Sequence, residues 1–308
     1  MLVQLIVWSA LAMTNPTDSS AKPDFDSWWD YNHPDQTEAK FRDLVPAAKA
    51  TGDTGYYAEL LTQIARTLGL QQKFDSAHAV LGEVKALLPS AGARAEVRYL
   101  LERGRALNSS KRQAESEPVF LEASEKAAIA KLDYFAVDAL HMLAIVAPVE
   151  KQMEWNQKAA EMAEQSADPK ARNWLGSLYN NMGWTYFGQK SYDSALTIFE
   201  KALAFRIQQG KPGNIRIAKW CIAKTHRMLG KLDTALATQI VLEKEYAEAG
   251  EPDGYVYEEL GELYLAKGDS AAAAPWFAKA FESLSKDQWL SRDEPERLAR
   301  MKELGGVK

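Results

Sequence analysis

One spacing constrains this chain more than any other feature. The run Tyr257, Leu260, Gly261, Tyr264, Gly268, Ala273, Phe277 and Ala280 has counterparts at Tyr179, Met182, Gly183, Tyr186, Ala195, Phe199 and Ala202, with Ile222, Ala223, Gly230 and Ala235 between them. Continuing upstream in steps of about 40 residues meets Leu100, Gly104, Leu107, Ser116, Phe120 and Ala123, then Leu61, Ile64, Ala65, Leu68, Ala77, Leu81 and Val84. Leu140, Leu143 and Ala144 fit the first helix of one further copy, which Pro148 cuts short, and the helix around Trp155 to Glu164 follows it in an ambiguous register. Units repeated at such a period bury their apolar faces only by stacking on their neighbours.

Within a copy, apolar residues recur at helical spacing on two segments, which predicts a helical hairpin. The eighth position of the first helix is always small: Ala65, Gly104, Ala144, Gly183, Ala223 or Gly261. Facing it, Ala77, Ser116, Ala195, Ala235 and Ala273 are small on the second helix, so the two helices are expected to approach closely there. Tyr186, Phe199, Tyr264 and Phe277 then read as packing residues rather than as parts of a cofactor site.

The aromatic-x2-Leu-Gly-x2-Tyr pattern, followed by Gly and Ala-x3-Phe-x2-Ala, resembles the tetratricopeptide repeat over roughly residues 30–285. In period, and in Leu178 to Gly183, it is similar to the extended repeats of kinesin light chains. The resemblance implies an all-α fold, a right-handed α-solenoid of antiparallel helical hairpins. On this reading residues 1–23 are an apolar leader and linker, and 24–56 an opening segment with an incomplete repeat whose second helix spans Pro34 to Lys49. Residues 57–285 hold six repeats, the third degenerate, and 286–308 a charged capping helix starting at Ser291 to Pro295. The long period implies extra helical turns and longer connections, with Gly/Pro breakers at Gln208–Asn214 and Ala249–Gly254.

Met1 to Met13 is apolar but for Gln4 and Ser9, too short to span a bilayer. Ala10-Leu11-Ala12 offers a small-x-small cleavage pattern, although no basic residue precedes the run. A cleaved leader implies export, to the periplasm for instance, with a mature start near Thr14; an uncleaved one implies a cytoplasmic protein.

Thirty-seven basic against 42 acidic residues give a net charge of −5, with no global basic field to hold nucleic acid. Cys221 is the sole cysteine, which excludes an intramolecular disulfide and Cys-based metal clusters. The four histidines are scattered, and phosphate-loop, dinucleotide, zinc-protease and nucleophile-elbow motifs are all missing, so no catalytic residue, metal or cofactor is expected.

The resemblance places positions two, five, six, nine and twelve of each first helix on an inner, concave face. There the sequence offers Arg66, Arg98, Arg105, His141, Asn180, Asn181, Trp184, Trp220, Lys224 and Arg227, running into the acidic Glu258, Glu259 and Glu262. The expectation is a non-enzymatic scaffold that binds a protein or peptide, one with acidic groups in particular, through arginine pairing and amide contacts to its main chain. An alternative is an assembly or regulatory module acting through self-association or membrane attachment of the N-terminal region. The carboxylate clamp of chaperone-binding relatives is not implied: Thr62 and Arg66 stand where Lys and Asn would be, and Glu102 where Asn would be.

Overall fold

The computed structural model describes residues 22–308, so the leader and its cleavage lie outside the described residues. Every regular element among them is helical. The chain forms two compact units, Met1–Ala95 and Glu96–Lys308.

In the first unit a 3-10 turn, Phe25–Trp28, precedes α1 (Pro34–Ala50), α2 (Thr54–Leu70) and the start of α3 (Phe74–Ser109). Phe41 of α1 is fully buried, and the rings of Phe25 and Trp29 meet it edge-on at 6.1 and 5.5 Å. Asp53 caps α2 by accepting from the Tyr56 N–H at 3.0 Å. The long α3 is broken at Gly92, whose φ of 82° and ψ of 168° only glycine adopts readily. That single residue turns one continuous helical run into the second helix of one hairpin and the first of the next.

The second unit continues with α4 (Gln113–Ile129), α5 (Asp133–Val146), α6 (Val149–Gln165), the short α7 (Pro169–Arg172), α8 (Leu175–Gly188) and α9 (Tyr192–Gln209). It closes with α10 (Pro212–Met228), α11 (Leu232–Glu248), α12 (Gly254–Ala266), α13 (Ser270–Leu284), α14 (Gln288–Asp293) and α15 (Pro295–Leu304). Each long helix packs on its sequence neighbours, the arrangement of an α-solenoid of antiparallel hairpins.

The turns inside the hairpins share one construction. After α2, α3, α8, α10 and α12 a single residue is left-handed: Gln72, Lys111, Lys190, Gly230 and Gly268. The N–H that follows returns to a carbonyl of the last helical turn, Ser191 to Tyr186, Lys231 to His226 and Asp269 to Tyr264, each at 2.9 Å. Between α5 and α6 the route differs, because Pro148 cannot continue a helix: Ala147 is extended and α5 stops at Val146.

Three expectations need correction. Only Gly210 and Lys211 separate α9 from α10, and the helices from α9 to α11 run to 17 or 18 residues, so at this junction the long period is spent on helix length rather than on loop. The C-terminal segment is two helices rather than one: α15 begins at Pro295, at the end of the expected start, and the short α14 (Gln288–Asp293) precedes it. Finally, what fills the space beside the glycines is an aromatic ring. A Cβ on Gly104, Gly183 or Gly261 would meet the rings of Phe120, Phe199 or Phe277 at 2.5, 2.4 and 3.0 Å, and all three rings are fully buried. Where the eighth residue is Ala65, the corresponding residue of the second helix is the smaller Leu81.

Candidate functional site

Arg66 lies in the first unit. Its guanidinium sits 5.6 Å from the ring centres of both Trp29 and Tyr31, which stack on each other 4.8 Å apart. Trp29 also donates its indole N–H to Gln63 at 3.1 Å, so the aromatic opening segment is folded onto α2. The other nine candidate residues belong to the second unit.

Arg98 is buried, its guanidinium 5.5 Å from the Phe135 ring. Arg105 donates to Glu102 at 2.7 Å and to both carboxylate oxygens of Asp138, one repeat further on, at 2.5 and 2.6 Å. Burial works to lower the Arg105 pKa, but Asp138 and Glu102 outweigh it and raise the value, so the guanidinium stays charged. His141 stands over Trp174 at 4.9 Å and shares a 3.3 Å contact with the amide nitrogen of Asn181. Burial lowers its pKa, with Arg105 adding to the effect against Asp138.

Asn180 accepts from the Cys221 thiol at 3.7 Å. Trp184 packs on Phe199 and, across the hairpin boundary, on Trp220 at 5.8 Å between ring centres. Trp220 then meets Tyr255 of α12 at 6.2 Å and donates its indole N–H to the Tyr255 carbonyl. Lys224 and Arg227 converge on one carboxylate: Glu259, 1% exposed, accepts from Arg227 at 2.5 and 3.1 Å and from Lys224 at 3.3 Å. Burial pulls the Arg227 pKa down and Glu259 more than restores it.

These contacts share one geometry. Side chains at the inner positions of one first helix meet inner positions of the next, about one repeat away in sequence, so α5, α8, α10 and α12 are stitched into one surface. The stitching continues into the C-terminal segment, where Arg297 donates to Glu258 at 2.7 Å through Nε and Arg300 to Glu262. On its other side α15 buries Leu298 and Met301 beside Phe277 and Leu284.

The expected basic groove running into an acidic end is therefore corrected in its electrostatics. Arg105, Lys224 and Arg227 already face carboxylates of this chain, and Glu258 and Glu262 already face arginines of α15. Sequence reasoning missed Asp138, Arg297 and Arg300. The signal was available, since each lies about one repeat from an opposite charge at an inner position. Cys221 is fully buried, and burial pushes its thiol up to about 12, which removes it as a nucleophile at neutral pH. Among the described residues no group of three or more His, Cys, Asp or Glu side chains is placed to hold a metal ion. Nor is any helix of these residues long and apolar enough to cross a membrane.

The family model of a tetratricopeptide repeat matches residues 175–208, the α8–α9 hairpin that carries Asn180, Asn181 and Trp184. No curated protein matches the sequence. Among solved structures, the apo form of RapI superposes with a TM-score of 0.69 at 13% identity, over 92% of this chain and 80% of that one. A signal-transduction ATPase with numerous domains and a tetratricopeptide repeat sensor, from Pyrococcus horikoshii, gives 0.66 at 16% identity; the match covers 89% of this chain but only 41% of that larger protein. Nearly identical repeats of a putative kinesin light chain from Podosopora anserina give 0.51 at 14% identity, over 64% of this chain and 97% of that one. Residues 175–208 thus match a tetratricopeptide repeat, and the chain as a whole shares the fold of solved proteins built from such repeats.

Proposed function

We propose that this protein is a non-enzymatic interaction module, and that the inner face of the first helices in Glu96–Lys308 receives an extended segment of a partner protein. The observation that carries the reading is the direct side-chain contact between successive first helices. His141 touches Asn181, Trp184 touches Trp220, and Trp220 touches Tyr255, so equivalent positions of different repeats form one surface instead of separate patches. Such a surface suits a ligand that is long in one direction and recognised at several points, as an extended peptide is. The amides of Asn180 and Asn181 lie within it, able to donate to and accept from a main chain.

Panning a random peptide library on the full chain tests this. The wild-type protein and Lys201→Ala, a change on the exposed side of α9, should enrich a common set of sequences, and Asn181→Ala together with Trp184→Ala should lose it. Enrichment that survives the inner changes and disappears with Lys201→Ala would contradict the assignment.

A further inference from the structure

The charges of the inner face are largely satisfied within the chain, and what is left in its centre is hydrocarbon. Of the two central indoles, Trp220 spends its only polar atom internally, donating to the Tyr255 carbonyl at 3.2 Å. What a ligand meets of the half-buried Trp220 ring is therefore carbon. The positions of both indoles are also fixed in advance. Trp184 is held by Phe187 and Phe199 at 5.1 and 5.3 Å, and Trp220 by Tyr255 on one side and the Lys224 ammonium, 5.0 Å from its ring centre, on another. Rigid aromatic ridges cost little entropy to engage.

The amides beside them are each used at one end. Asn180 accepts through its oxygen and Asn181 is engaged through its nitrogen, which leaves the Asn180 nitrogen as a donor and the Asn181 oxygen as an acceptor. A ligand that suits this arrangement has apolar side chains, main-chain carbonyls not already hydrogen-bonded, and no charge needing a partner. A polyproline II segment has these properties, because it carries no internal hydrogen bonds and its fixed φ leaves less freedom to lose on binding. Aromatic-lined grooves are the usual receptors of such segments.

Resting on the peptide-binding reading above, we infer that the surface formed by Trp184, Trp220 and Tyr255 takes an uncharged, proline-rich segment rather than an acidic one. The carboxylate partners of Lys224 and Arg227 would have to be displaced before an acidic ligand could use those cations, and the proline-rich ligand requires no such exchange.

The experiment titrates the full chain into two fluorescein-labelled 12-residue peptides, one of Ala-Pro-Pro repeats and one of Gly-Glu-Glu repeats, at about 50 and about 500 mM salt. The Ala-Pro-Pro peptide is expected to bind saturably and more tightly, with less than about a twofold change between the two salt concentrations. Trp184→Leu should weaken it about tenfold, and Lys201→Ala should leave it unchanged. Should Trp184→Leu fail to fold, peptide preference and salt dependence in the wild-type protein still decide. Tighter, salt-sensitive binding of the Gly-Glu-Glu peptide overturns the inference and leaves the peptide-binding reading standing. Saturable binding of neither peptide, in a protein whose library panning does enrich peptides, also overturns only the inference. If panning enriches nothing either, both fall.

Discussion

The ring of Phe199 lies directly against the backbone of Gly183, so close that a Cβ on the glycine would sit 2.4 Å from it. In an exposed stretch of helix, replacing glycine by alanine stabilises by about 1 kcal/mol. Gly82 is such a site, exposed on α3 with no neighbour near its missing Cβ, and Gly82→Ala should raise the melting temperature. Gly183→Ala should do the reverse, costing about 1 to 3 kcal/mol by overpacking. Phe199→Leu in the same chain should recover part of that loss, because Leu81 already occupies this place opposite Ala65. Thermal melts of the three variants check the sign of each change.

Glu259 provides the second prediction. It is almost fully enclosed, and Arg227 and Lys224 both reach it. Arg227→Met leaves that carboxylate with one partner in a low-dielectric setting, and the expected loss is about 2 kcal/mol or more. Arg292→Met removes an ion pair of which both members are more than half exposed, and should change stability by less than about 0.5 kcal/mol. Chemical denaturation of the two variants separates a structural pair from a decorative one.

Gln239 is fully buried in α11, and among the described residues neither of its amide atoms has a hydrogen-bond partner. A buried polar group in that condition carries its desolvation penalty uncompensated, about 1 to 3 kcal/mol. Gln239→Leu is of similar size and should stabilise the protein, as seen in the denaturation midpoint.

Cys221 gives a prediction with a definite pH sign. Burial, the dominant cause, raises its pKa from an ordinary 9.0 to about 12, so between those values the unfolded chain loses a proton that the folded chain keeps. The resulting contribution to stability is complete below pH 9.0 and is lost as the pH rises towards 12. Cys221→Ala should flatten the stability profile across that window. In the folded protein at about pH 8, alkylation of Cys221 by iodoacetamide should be slower than in the unfolded chain by about two orders of magnitude or more.

Most of the architecture was legible because packing repeats at fixed positions. Gly183 and Gly261, with Phe199 and Phe277, recur wherever two helices must touch, and such residues betray themselves in a single sequence. What stayed hidden depended on pairing across repeats. Asp138, Arg297 and Arg300 look like ordinary surface charges when each is viewed on its own helix; only stacking brings them to Arg105, Glu258 and Glu262. The same applies to Gly92, an unremarkable glycine in the sequence, whose backbone conformation alone divides α3. Connection length was misjudged for a related reason, since residues added to a period can extend either a helix or a loop, and Gly210 with Pro212 at its ends suits both.

The central claim, that the inner face of the first helices is the ligand surface, is tested most directly by cross-linking. A peptide enriched by panning, carrying one photoreactive benzoylphenylalanine, is irradiated on the full chain and the adducts are located by mass spectrometry. Adducts on α8, α10 and α12, concentrated near Trp184, Trp220 and Tyr255, are the predicted result. Adducts confined to α9, α11 and α13 would contradict it and place the partner on the opposite side of the hairpins.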